Sequence, residues 1–158
     1  MKIGIGYDVH QLVPNRKFII GGIEIEYEKG ILGHSDGDVL THAIINALLG
    51  AMGLGDIGQY FPSSDIHYHN ILSTNLLKEI KALLDQNQYQ IVNIDTIIIC
   101  QNPKLSPYYQ SIKHNLAQVL NMPIADINIK STTTDNLGVI GQGLGIAAQA
   151  ITLLAKTI

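Results

Sequence analysis

A chain of 158 residues with 46% hydrophobic content is long enough for one domain with its own core, burying roughly 70% of its unfolded surface, and is too apolar to be disordered. Its net charge is −3, and Arg16 is the one arginine among ten basic residues, so there is no basic stripe of the kind a nucleic-acid groove needs. A single cysteine, Cys100, rules out an intrachain disulfide and fits a reducing, cytoplasmic setting.

No secretory signal is expected, because Met1 to Asp8 reaches a carboxylate before any apolar core region forms. The stretch 136–155 carries no formal charge and is long enough to raise a membrane span. Gln142, Gln149 and four glycines interrupt it, however, so a buried segment or a subunit interface is expected instead.

In chain order, Ile3 to His10 reads as a strand. Phe18–Ile20 and Ile23–Ile25 flank Gly21-Gly22, which signals a hairpin. The turn formers Gly33 to Asp38 lead into a largely apolar helix over Val39–Met52, with Asp38 as its N-cap. Gly53 to Asn70 reads as an irregular loop. Ser73 is placed to cap a second helix with Leu76, Leu77, Ile80, Leu83 and Leu84 on its apolar face. A β-branched strand over Ile91–Cys100 follows. Ser106-Pro107 then opens a third helix, which buries Ile112, Leu116, Val119 and Leu120. Ile127–Thr132 is another strand. For Gly145–Ile158, propensity permits a helix and alternation permits a buried strand. The succession predicts an α+β fold, a two-layer sandwich of a mixed sheet with helices on one face.

Several of these residues can carry chemistry. Asp8 and His10 alternate onto one strand face, about 6.7 Å apart. By itself the pair reads as a solvated strand end, but with a third ligand it could hold a divalent metal. Asp38, His42 and Asn46 recur every four residues, a polar stripe on an apolar helix that must find partners. His42 is either a satisfied buried histidine or the ligand that completes an Asp-His-His set with one open position. His34 and Ser35 sit on the loop feeding that helix. Asp36 and the Asp56-Ile57-Gly58 loop read equally well as turn chemistry. Lys104 follows Pro103 before a helix N-terminus, an end that suits phosphate. Lys130-Ser131-Thr132-Thr133-Thr134-Asp135 ends a strand in hydroxyls and a carboxylate, as an oxygen-rich Mg²⁺ site would. His67 and His69 read as surface histidines without a carboxylate nearby.

Taken together, Gly6-Tyr7-Asp8-Val9-His10, Gly33-His34-Ser35-Asp36-Gly37-Asp38, His42, Gly55-Asp56-Ile57-Gly58, Phe61-Pro62, Pro103-Lys104 and Thr132-Thr133-Thr134 resemble the 2-C-methyl-D-erythritol 2,4-cyclodiphosphate synthase family in order and spacing, over essentially the whole chain. The resemblance implies a single synthase domain over 1–158, a homotrimer with active sites between subunits, and a cytidine diphosphate substrate that closes on itself and releases CMP. It implies Zn²⁺, or another divalent transition metal, on Asp8, His10 and His42, and Mg²⁺ or Mn²⁺ near Asp135. It implies that His34 and Thr133 stabilise the transition state, and that Gly145–Lys156 is a long strand in spite of its helical propensity. By the same resemblance, His34, Ser35, Asp56, Ile57, Gly58, Phe61, Pro62, Ser63, Ser64 and Asp65 hold the methylerythritol phosphate. Cys100, Gln101, Asn102, Pro103, Lys104, Leu105, Ser106, Thr132, Thr133, Thr134 and Asp135 hold the cytidine diphosphate part, and Asp8, Val9, His10, Val139 and Gln142 are further substrate-binding residues. The chain departs from the family's usual glutamate at Asp135, its frequent aspartate at Asn46, and the arginine and glutamate that many members carry at Gln142 and Leu144. A zinc phosphohydrolase and a non-enzymatic module with a structural metal are the competing readings.

Overall fold

The computed structural model describes residues 1–157. The elements are β1 (Lys2–Val13), β2 (Phe18–Ile20), β3 (Ile23–Ile25), β4 (Gly30–Ile31), α1 (Val39–Met52), α2 (Ile57–Tyr60), α3 (Ser73–Gln86), β5 (Tyr89–Ile99), α4 (Tyr109–Leu120), β6 (Ile127–Thr132), α5 (Gly138–Gly141) and β7 (Gly145–Lys156). The five-stranded sheet runs β4-β1-β7-β5-β6, and β2-β3 form a separate hairpin. The β5–β6 pair is parallel and the other pairs are antiparallel, so the sheet is mixed. The parallel pair is joined through α4, which packs back against β6. Helix α1 lies on β1, β7 and β5, and α3 packs beside it. The fold is the expected sheet covered by helices on one face.

Two glycines set how closely the layers meet. Gly4 and Gly6 point at α1, where a Cβ on Gly6 would stand 1.9 Å from the Ala43 carbonyl oxygen and one on Gly4 2.0 Å from that of Ala47. Only hydrogen fits there. Helix α1 is buried nearly all round, which suits its apolar composition, and it stops at Gly53 in the left-handed conformation, φ 76°. The core gathers Phe18, Ile20, Leu40, Ile44, Leu48, Leu77, Ile80 and Ile94.

Strand beats helix in the last segment because β7 is the central strand. It bonds β1 from Gly145 to Leu154 and β5 from Ala147 to Lys156, so both edges are filled. Its Ile146, Ala148, Ala150 and Leu154 are buried. The rest of the uncharged stretch forms the short α5, and among the described residues no helix is long and apolar enough to cross a membrane.

Three local expectations change. The predicted loop over 53–70 holds α2 and a 3-10 turn at Ile66–Tyr68, capped by Asp56 and Asp65. Ser73 is the first residue of α3, not its cap, because Asp36 reaches across from the preceding loop to accept the Ser73 N–H at 3.0 Å. The third helix begins as a 3-10 turn at Ser106–Tyr108, with Pro107 in its first turn, before α4 proper.

Candidate active site

Strand β1 alternates Asp8 and His10 toward the helices and Val9 to the opposite, exposed face. The glycine contacts bring α1 down onto that strand, and His42 follows with it. His42 Nδ1 lies 2.9 Å from Asp8 Oδ2, and His10 Nε2 lies 2.7 Å from the same oxygen. The two ring nitrogens are 3.2 Å apart. All three ligand atoms fall within 4.8 Å of one another. His10 Nδ1 donates to the Leu32 carbonyl at 2.7 Å, which turns Nε2 toward Asp8, the nitrogen that would offer its lone pair to a bound metal. Burial pushes the Asp8 carboxyl up, but its hydrogen bonds with His10 and His42 outweigh this and bring it down to about 2. Burial works against a charge on His10, while Asp8 overrides it and raises the imidazole above its ordinary value. One ionised carboxylate and two imidazoles converging from a strand and a helix fit a divalent metal ion.

The polar stripe on α1 divides its work. Asp38 is fully buried and accepts from the Gly21, Gly22 and Thr41 N–H groups and the Thr41 hydroxyl, at 2.7–3.0 Å. It fastens the β2–β3 hairpin to the helix start. Asn46 Oδ1 accepts from Ile57 N–H at 2.9 Å and holds the start of α2. His42 alone of the three reaches the ligand cluster.

The cluster opens into a cavity of about 250 Å³ lined by Asp8, His10, His34, Ser35, His42, Ile57, Gly58, Phe61, Ser63, Tyr68 and Leu76. His34 Nε2 donates to the Asp65 carbonyl at 3.4 Å, and its ring meets that of His69 edge-on at 5.1 Å between centroids. His67 is not without a carboxylate: its Nδ1 lies 2.7 Å from Asp65 Oδ1. Asp56, Pro62, Ser64 and Asp65 belong to the loop around this cavity but do not line it. Tyr68 and Leu76 do line it and were missed by the sequence reading. Leu76 carries only the signal of a core position, and Tyr68 lies between two histidines set aside as surface residues.

A second cavity, of about 370 Å³, is lined by Cys100, Gln101, Asn102, Pro103, Lys104, Leu105, Ser106, Tyr109, Ser131, Thr132 and Thr133. The parallel pairing of β5 and β6 sets Ile99 beside Thr132, so the loops at their C-terminal ends form one rim. The Cys100 thiol donates to the Asn102 carbonyl at 2.8 Å, and burial pushes its pKa up to about 11. It is therefore a poor nucleophile. Tyr109, whose oxygen lies 2.5 Å from that of Ser131 in the hydroxyl run, was not anticipated. Thr134, Asp135, Val139 and Gln142 line neither cavity. Asp135 is exposed, in the left-handed region at φ 51°, with its N–H donating to Thr133 Oγ1 at 3.2 Å.

The geometry has counterparts among known proteins. A 2-C-methyl-D-erythritol 2,4-cyclodiphosphate synthase of Clostridium acetobutylicum is 58% identical over 98% of this chain and 99% of its own. One from Alkaliphilus metalliredigens is 51% identical over the full chain and 99% of its own. Among solved structures, the bifunctional IspDF of Campylobacter jejuni matches with a TM-score of 0.95 at 38% identity, covering 99% of this chain and 42% of the longer one. The CDP complex of Plasmodium falciparum IspF matches with a TM-score of 0.88 at 34% identity, over 99% and 97% of the two chains. The model of the YgbB family matches residues 1–155, and the chain belongs to that family.

Proposed function

We propose that the chain converts 4-diphosphocytidyl-2-C-methyl-D-erythritol 2-phosphate into 2-C-methyl-D-erythritol 2,4-cyclodiphosphate with release of CMP. It does so as one cyclodiphosphate synthase domain over residues 1–158, in the cytoplasm, within the non-mevalonate route to isoprenoid precursors. The observation that carries this reading is the Asp8–His10–His42 donor set opening onto His34 and Ser35, in a chain of this family.

Asp8, His10 and His42 would hold Zn²⁺ or another divalent transition metal. When bound, such an ion would supply Lewis-acid polarisation of a substrate phosphate oxygen. Ser35, Ile57, Gly58 and Phe61 hold the methylerythritol phosphate beside the ligand cluster. The apolar wall of Ile57, Phe61 and Leu76 limits water at the reacting phosphate, which favours intramolecular attack over hydrolysis. Cys100–Ser106, Thr132 and Thr133 cradle the cytidine diphosphate. Asp135, exposed just beyond Thr133, would be the carboxylate that holds Mg²⁺ or Mn²⁺, which would supply charge neutralisation for the phosphates. His34 and Thr133 donate to oxygens that gain charge as the β-phosphorus is attacked, so the chain contributes positioning and charge neutralisation and no nucleophile of its own.

The working unit is a homotrimer. The two cavities of one chain share no lining residue. The uncovered face of the sheet exposes Ile3, Ile5, Tyr7, Val9 and Ile151, an apolar patch that a lone soluble chain rarely carries. Packing three such faces together buries the patch and sets the first cavity of one copy against the second cavity of its neighbour. Light scattering should give three times the chain mass, and a stable, active monomer would contradict this.

Incubation of the purified chain with the cytidine substrate, Zn²⁺ and Mg²⁺ should release CMP. No CMP under those conditions would sink the reading.

A further inference from the structure

Behind His42, on the side away from Asp8 and His10, hydroxyls lead to a carboxylate. His42 Nε2 lies 2.8 Å from Ser73 Oγ and 3.1 Å from Ser35 Oγ. Ser73 Oγ in turn contacts Asp36 Oδ1, while the Ser73 N–H donates to Asp36 Oδ2 at 3.0 Å. Ser73 is fully buried and His42 is 8% exposed, so the bonds between them are made inside the protein, while Asp36 is half-buried at the outer end.

The direction of the protons follows from the carboxylate. An ionised carboxylate only accepts, so the single Ser73 hydroxyl proton goes to Asp36. The Ser73 lone pairs then face His42, and Nε2 must donate. A neutral imidazole carries one N–H; with that proton on Nε2, Nδ1 keeps its lone pair on the side of Asp8 and His10. Ser35 does not set this direction. It accepts from the Gly37 N–H at 3.3 Å and lines the cavity, and among the described residues no carboxylate bonds its hydroxyl.

The geometry points to Asp36 and Ser73 as a positioning pair for His42, fixing its tautomer and ring orientation so that Nδ1 faces the metal. This rests on the metal site proposed above. The relay joins the loop before α1, the start of α3 and the first turn of α1, so the ligand set depends on two residues that touch neither metal nor substrate. Asp36 does double duty, since it also satisfies the first N–H of α3.

The test is zinc affinity, measured by competition with a chelator on the folded, full-length wild type and on Ser73→Ala and Asp36→Asn. Loss of an outer hydrogen-bond partner of a metal-bound histidine costs about 10- to 100-fold in affinity, and Ser73→Ala should fall in that range. Asp36→Asn keeps an acceptor for the α3 N–H but no longer dictates the hydroxyl's direction, and should lose about 10-fold. Zinc-loaded wild type should also show a His42 Nε2–H proton protected from exchange by NMR, a readout that needs no variant and stands if Ser73→Ala fails to fold. Folded Ser73→Ala with zinc affinity within about two-fold of wild type would overturn the relay, as would an unprotected His42 Nε2–H in the wild type. Wild type that takes up no zinc would overturn the metal site itself, and the relay with it.

Discussion

Gly6→Ala should damage the site without touching a ligand. The new Cβ would stand 1.9 Å from the Ala43 carbonyl oxygen and 2.6 Å from the Ala47 nitrogen, whereas ordinary contact begins near 3.4 Å. Both obstacles are backbone, so neither can swing aside. Helix α1 must retreat by roughly 1.5 Å at this point, and overpacking of this kind costs typically ~1–3 kcal/mol. His42 neighbours Ala43 and retreats with it. A ligand pair now 2.9 Å apart is pulled open, while zinc–ligand distances tolerate only about 0.2 Å. Urea denaturation of the metal-free chain should show a loss near ~3 kcal/mol, the upper end of that range, and zinc titration should show weakened binding. Gly50→Ala is the matched control. Gly50 lies in the same helix, and its added Cβ meets only the Ile5 carbonyl oxygen at 3.7 Å. That change should stabilise by ~0.5–1 kcal/mol through helix propensity. If Gly6→Ala matched the wild type in both urea midpoint and zinc affinity, the close approach of α1 to β1 would not be what assembles the ligands.

Other tests separate the parts of the site. His42→Ala should lose both zinc and activity, and full zinc occupancy by metal analysis would show that the ligand set is assigned wrongly. Asp135→Asn should lower turnover sharply with zinc still bound, and Asp135→Glu should be active; wild-type turnover of Asp135→Asn under limiting Mg²⁺ would remove Asp135 from the second-metal role. Cys100 is raised from 9.0 to about 11, which lowers its thiolate fraction at pH 8 roughly 100-fold. Its alkylation should therefore be slower than in the unfolded chain by at least that factor, and equal rates would mean that the thiol is not held as described.

Much of this arrangement is legible in the residues. The ends of α1 and β6 match the expectation because apolar runs there are bounded by turn formers and a capping Asp38. The ligand triad is legible because period two and period four each place one kind of side chain on one face. Where local signals failed, a tertiary partner decided the outcome. Ser73 looks like a cap, yet its backbone is satisfied by Asp36, 37 residues earlier in the chain. The helix-prone alanines and leucines of β7 become strand because two neighbouring strands supply bonds on both sides. Tyr68 reaches its cavity from a 3-10 turn that carries no periodic pattern, and Tyr109 from the first residue of α4, outside that helix's apolar face.

The proposed function requires that the substrate's own phosphate, not water, attacks within this site. The direct measurement is ³¹P NMR of the products formed from 4-diphosphocytidyl-2-C-methyl-D-erythritol 2-phosphate by the zinc- and magnesium-loaded chain. Equal amounts of CMP and a cyclic diphosphate are expected. CMP accompanied by a linear phosphate would mean that the chain is a hydrolase and would contradict the account.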